Sequence, residues 1–101
     1  MRAIVFFDLP TETSEDRKNY TRFRKTLIKN GFVMLQESVY TRMMITPSLG
    51  DTVLKNLRNN KPPAGLVQIL IVTEKQFSKM ECICGEYTTD VIDSDDRMIV
   101  L

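Results

Sequence analysis

The residue types able to do chemistry in this chain are few. No histidine occurs among its 101 residues, which removes zinc–histidine sites, histidine acid–base steps and serine–histidine triads. The two cysteines, Cys82 and Cys84, flank a single residue. That spacing is poor for a structural disulfide, and no further Cys or His completes a tetrahedral site. They read as alternating strand side chains, reduced as in the cytoplasm. What remains is carboxylates, hydroxyls, Lys and Arg, with a hard metal as their natural cofactor. Among these, Asp8 stands out. It is the acid at the end of MRAIVFFDLP, an otherwise almost wholly apolar run closed by Pro10. Burying a carboxylate without a partner is costly, so Asp8 either caps the next turn or holds a cation. One carboxylate is a weak Mg²⁺ site, because that ion takes six oxygens. A two-fold axis near the strand exit would bring Asp8 and its mate together. A divalent cation would then offset their repulsion, orient a phosphodiester and activate water. A second acidic group, Asp90, Asp93, Asp95 and Asp96, lacks the spacing of a calcium-binding loop and reads as solvated.

The cations are concentrated. Fourteen Lys and Arg nearly balance thirteen Asp and Glu, so net charge announces no partner and the distribution must be examined. After Pro10, Thr13 or Ser14 is the N-cap of a helix, with Glu15 and Asp16 suited to its first turn. The helix is expected to run to about Asn30, with Gly31 in the left-handed position that ends it. Tyr20, Phe23 and Leu27 form its buried stripe. At about 100° per residue, Lys18, Arg22, Lys25 and Lys29 line the opposite side, with Arg17 and Arg24 on the flank. Such a row is either a solvated face or a ridge that tracks phosphates and displaces counterions.

The remaining elements follow in order. The run from residue 2 to residue 9 is a strand, central and covered on both sides by its composition. Phe32 to Ile45 is β-rich, one bent strand or two strands meeting near Gln36–Ser38. A second helix is capped by Thr46 or Ser48, carries Leu49, Val53, Leu54 and Leu57 on its apolar side, and stops before Pro62-Pro63. Gly65 to Thr73 is another core-like strand. Glu74 to Met80 is a helical turn, Glu81 to Tyr87 a further strand, and Arg97 to Leu101 a final one. This is the α+β, ferredoxin-like βαββαβ plan with an additional C-terminal strand. Both helices lie on one face of the sheet. The other face needs cover, and a homodimer packed sheet to sheet supplies it. The chain is expected to form a single domain over residues 1–101, since 43% of it is hydrophobic and a core of that size folds alone. No run reaches the roughly 18 apolar residues of a membrane span. Met1 leads straight into the first strand, so no leader is expected.

The order of these segments resembles the CRISPR-associated protein 2 family, in the variant found beside single-protein effector nucleases. The residues that carry the resemblance are AIVFFDLP ending in Asp8, RKNYTRFRKTLIKNGF, QESVY, NNKPPAG, VQILIVTEKQF and DSDDRMIVL. It spans essentially the whole chain. The resemblance implies a homodimer whose C-terminal strand, about residues 97–101, packs on the partner. It implies Mg²⁺ or Mn²⁺ held near the dimer axis by Asp8, with Arg17 and Ser38 where the family often has polar site residues. It implies a CRISPR adaptation subunit that bridges integrase dimers and holds duplex DNA on Arg17, Lys18, Arg22, Lys25 and Lys29. Members are described both as metal-dependent nucleases on RNA or DNA and as non-catalytic centres of the acquisition complex. Many relatives carry Tyr before the aspartate, where this chain has Phe7. A toxin-like endoribonuclease of similar fold and a non-catalytic nucleic-acid-binding module are the rival readings.

Overall fold

A computed structural model describes residues 1–85. The elements are β1 (Arg2–Asp8), α1 (Ser14–Lys29), β2 (Val33–Gln36), β3 (Val39–Met43), α2 (Pro47–Asn59), β4 (Leu66–Val72) and α3 (Glu74–Ser78). The sheet order is β2-β3-β1-β4, and every neighbouring pair is antiparallel. That is the ferredoxin-like arrangement. The β-rich stretch is two strands joined by a turn at Glu37–Ser38, with an irregularity between Met34 and Gln36.

Local signals account for the helix ends. Thr13 caps α1 in a reciprocal box, its side chain accepting from the Asp16 N–H while the Asp16 carboxylate accepts from the Thr13 N–H. This closes two of the orphan donors every helix start leaves. Gly31 follows at φ +86° and turns the chain into β2. Thr46 caps α2, with Pro47 in the first turn.

Residues on β1 alternate between two faces. Ala3, Val5, Phe7 and Leu9 face the helices and join Phe23, Leu27, Phe32, Tyr40, Val53 and Leu57 in the main core. Phe7 is its aromatic hub, edge-on to Phe23 at 5.3 Å between ring centroids and 5.8 Å from both Tyr20 and Tyr40. Arg2, Ile4, Phe6 and Asp8 belong to the other face. There Phe77 of α3 packs with Ile4, Val39, Val33, Leu35 and Val72 in a second, smaller core.

Four expectations change. The first strand is not covered along its whole length, because α3 shields only the Arg2 end and leaves Phe6 and Asp8 exposed. Arg2, rather than Asp8, is the charge that β1 buries. Its guanidinium makes a bidentate pair with Glu74 at 2.9–3.2 Å and lies 4.2 Å from the centre of the Phe77 ring. The third change concerns β4, which among the described residues is an edge strand and is largely exposed despite its apolar sequence. Leu66 and Leu70 are 56% and 51% accessible on the face that α1 and α2 do not cover. Composition reports that a strand is to be covered, and it cannot say whether by its own chain. The expected strand from Glu81 does not begin as one, since residues 81–82 have no regular structure and 83–85 form bends. The rest of that expected strand, the acidic group at Asp90–Asp96 and the segment 97–101 lie outside the described residues. Among the described residues, no helix is long and apolar enough to cross a membrane.

Candidate metal and nucleic-acid site

β1 delivers Asp8 to the end of the uncovered face. β4 follows it that far, with Leu66 opposite Asp8. Such close pairing requires Gly65. At φ +95° a Cβ there would stand 2.6 Å from the Asp8 carbonyl oxygen, closer than any side chain tolerates. The Asp8 side chain is exposed, and among the described residues no hydrogen bond or ion pair engages it. The turn-cap role that would have explained it belongs to Thr13.

Ser38 arrives from the other side. The Phe7 N–H donates to the Ser38 carbonyl at 3.0 Å, so the β2–β3 turn lies against the strand just before Asp8. Ser38 takes φ +62°, a left-handed conformation unusual for a residue with a Cβ. Arg17 comes from the first turns of α1. Its Nη1 donates to the carbonyls of Thr11 and Glu12 at 3.1 and 3.0 Å, tying down the loop that leaves Asp8. Ser38 therefore meets the chain just before Asp8 and Arg17 meets it three to four residues after, and among the described residues no bond joins the three side chains.

The donor chemistry there is oxygen only, which suits a hard cation. Among the described residues, no three of Asp, Glu, Cys and His come together. Among the described residues, one copy thus brings Asp8 alone to the strand exit, and a complete site needs a second copy, phosphate or water. Phe7 has no part in this. It points to the opposite face, so a hydroxyl on its ring would enter the helix-side core rather than the neighbourhood of Asp8.

The basic helix forms a separate surface. Ser14, Arg17, Lys18, Thr21, Arg22 and Lys25 line a shallow, solvent-open trough between side chains of α1. Lys29 continues the line beyond it. None of these Lys and Arg side chains makes an ion pair among the described residues. Arg24 is diverted, its Nε donating to the Tyr40 hydroxyl at 3.0 Å. The trough and Asp8 are carried on different elements and separated by the loop that Arg17 holds. Cys82 and Cys84 are exposed free thiols.

The sequence matches the family described as CRISPR associated protein Cas2 over residues 1–80. It is 52% identical to the CRISPR-associated endoribonuclease Cas2 of Treponema denticola over 101 residues, all of both chains. The chain belongs to the Cas2 family. It is also 43% identical to the CRISPR-associated endoribonuclease Cas2 of Streptococcus mutans, over all of this chain and 93% of that one. The fold is similar to the crystal structure of Streptococcus pyogenes Cas2 at pH 6.5, with a TM-score of 0.64 at 20% identity, over 83% of this chain and 100% of that chain. Within this Cas2 fold, the sequence alone did not indicate the Arg2–Glu74–Phe77 cluster. The signal available was a lone Arg opening an apolar strand.

Proposed function

We propose that this Cas2-family chain is a CRISPR adaptation subunit. In this reading it works as a homodimer, binds duplex DNA, bridges integrase dimers, and hydrolyses phosphodiesters at a metal shared by the two Asp8 residues. The observation that carries it is the position of Asp8. An exposed carboxylate, free of partners among the described residues, stands at the end of an apolar sheet face that nothing described covers. Two copies packed through that face about a two-fold axis would set their Asp8 side chains near each other.

Each residue then has a task. Asp8 supplies one carboxylate per copy. When bound, Mg²⁺ or Mn²⁺ would offset the repulsion of the pair and make a bound water more acidic. Arg17 holds the loop after Asp8 and leaves its remaining donors to a phosphate, and Ser38 offers a hydroxyl beside the strand exit. Lys18, Arg22, Lys25 and Lys29, with Arg17, take successive phosphates of a duplex along the trough. The similar endoribonucleases favour RNA as the strand that is cut, whereas the row of cations suits any phosphate backbone.

Asp8→Asn separates the two activities. The expected result is loss of Mn²⁺-dependent cleavage of labelled RNA and duplex DNA, with dimerisation, duplex affinity and integrase-dependent insertion retained. Cleavage that survives in highly purified Asp8→Asn protein removes Asp8 from the chemistry.

A further inference from the structure

The uncovered face has a polar residue at its centre. On β4, Leu66, Gln68, Leu70 and Val72 share a face with Asp8, Phe6, Ile4 and Arg2, their respective partners across the ladder. Gln68 therefore sits opposite Phe6 and between Leu66 and Leu70. Phe6, Leu66 and Leu70 are 37%, 56% and 51% accessible. Gln68 is exposed as well, and among the described residues its amide has no side-chain partner. The cation of this face, Arg2, is buried under Phe77 and held by Glu74, so an acidic partner finds no free positive charge among the described residues here. What the surface does match is itself: apolar on both sides of one amide.

Resting on the homodimer reading above, we propose that Gln68 is a positioning residue that sets the register of the two copies by pairing its amide with a polar group of the facing sheet. The physical reason is a difference in cost. Apolar contacts are non-directional, so two greasy sheets slide over each other with little change in energy. A side-chain amide enclosed between them has to find a hydrogen bond or forfeit its hydration. In one register the two-fold axis supplies a partner, since the amide is both donor and acceptor and can meet its own mate. In a register displaced by one same-face step along β4, two residues or roughly 6.6 Å, Gln68 meets Leu66 or Leu70 of the facing strand. A single buried amide plays the same part in coiled coils, where it fixes alignment at some cost in affinity. The consequence reaches the metal site. Asp8 lies on the same strand face as Phe6, the residue opposite Gln68, so the register that satisfies Gln68 also determines how far apart the two Asp8 carboxylates stand.

The test uses the full chain with Cys82 and Cys84 replaced by Ser and a nitroxide at Thr52→Cys, an exposed position on α2. In the parent, double electron–electron resonance between the two copies is expected to show one narrow distance population. Gln68→Leu is expected to leave the dimer at least as tight by sedimentation equilibrium while splitting or broadening that distribution. Gln68→Glu, which places like charges between the sheets, is expected to raise the dimer dissociation constant at least tenfold at pH 8. Retention of a single narrow distance in Gln68→Leu overturns the proposal, as does a dissociation constant for Gln68→Glu within twofold of the parent. Either result leaves the homodimer reading standing. A parent chain that is monomeric throughout the concentration range removes both.

Discussion

Ser38 shows how a residue's backbone and its side chain make separate claims. Its carbonyl accepts from the Phe7 N–H and its φ is +62°, so the turn requires a left-handed residue whatever the hydroxyl does. Holding a residue with a Cβ there costs about 1 kcal/mol. Ser38→Gly is therefore expected to be more stable than Ser38→Ala by about 1 kcal/mol, read from urea unfolding of both variants at equal protein concentration. Equal stabilities would mean that the turn relaxes out of the left-handed region. Both variants lack the hydroxyl, so their cleavage rates report its chemical share independently of the turn. Asp8 and Arg2 make the complementary point. Asp8 was legible as a site candidate because an acid ending an apolar strand is unusual. Arg2 was not, because its partners Glu74 and Phe77 lie more than seventy residues away. Removing Glu74 is the costly change, since the buried Arg2 charge stays behind, whereas Glu74 itself is part-exposed.

At the scale of elements, α1 was the most readable part of the molecule. Its cap, its buried Phe23 and Leu27 and its cationic side all follow from helical spacing, and the reciprocal box at Thr13 and Asp16 holds the start independently of the ridge. The ridge can therefore be changed without unfolding the helix. Lys18→Glu, Arg22→Glu and Lys25→Glu together are expected to abolish duplex capture at near-physiological salt. Each single change to Ala is expected to flatten the plot of log affinity against log salt by about 0.9 for each phosphate that is no longer neutralised. Fluorescence anisotropy over a salt series measures this, and circular dichroism checks that the helix persists. Unchanged slopes would move the nucleic acid to another surface. Arg24 makes an internal contrast, because it looks equivalent by spacing yet donates to the Tyr40 hydroxyl. β4 was the least readable. Its composition is that of a buried strand, and its place at the sheet edge is set by topology, which no local pattern encodes.

At the scale of the whole molecule, the decisive feature is that the described residues form an incomplete second layer. α1 and α2 cover one face of the sheet, and α3 covers the Arg2 end of the other through Phe77. The Asp8 end is left with Phe6, Leu66 and Leu70 exposed. A contiguous apolar patch on one face is the usual mark of an interface. Leu70→Glu, at the centre of β4 and more than half exposed, is expected to convert a dimer into a folded monomer. Sedimentation velocity with unchanged far-ultraviolet circular dichroism would show it. A dimer that tolerates Leu70→Glu joins through some other surface, and the shared Asp8 site fails with it.

By itself the sequence determined the α+β order as far as α3, with the β-rich stretch before α2 left as one strand or two, together with the helix caps, the main core on the helix side and the family, because each depends on nearby residues or on a pattern that runs along the chain. It also isolated Asp8, Arg17 and Ser38 as candidates and placed the cations on one side of α1. Only the tertiary structure decided which of the two charges in β1 is buried and which faces outward. It also showed that Arg17 and Ser38 meet the chain on either side of Asp8, and that β4 ends as an edge with its apolar side chains uncovered. Those outcomes rest on contacts between residues far apart in the chain, where pairing geometry and burial, rather than composition, select the partner.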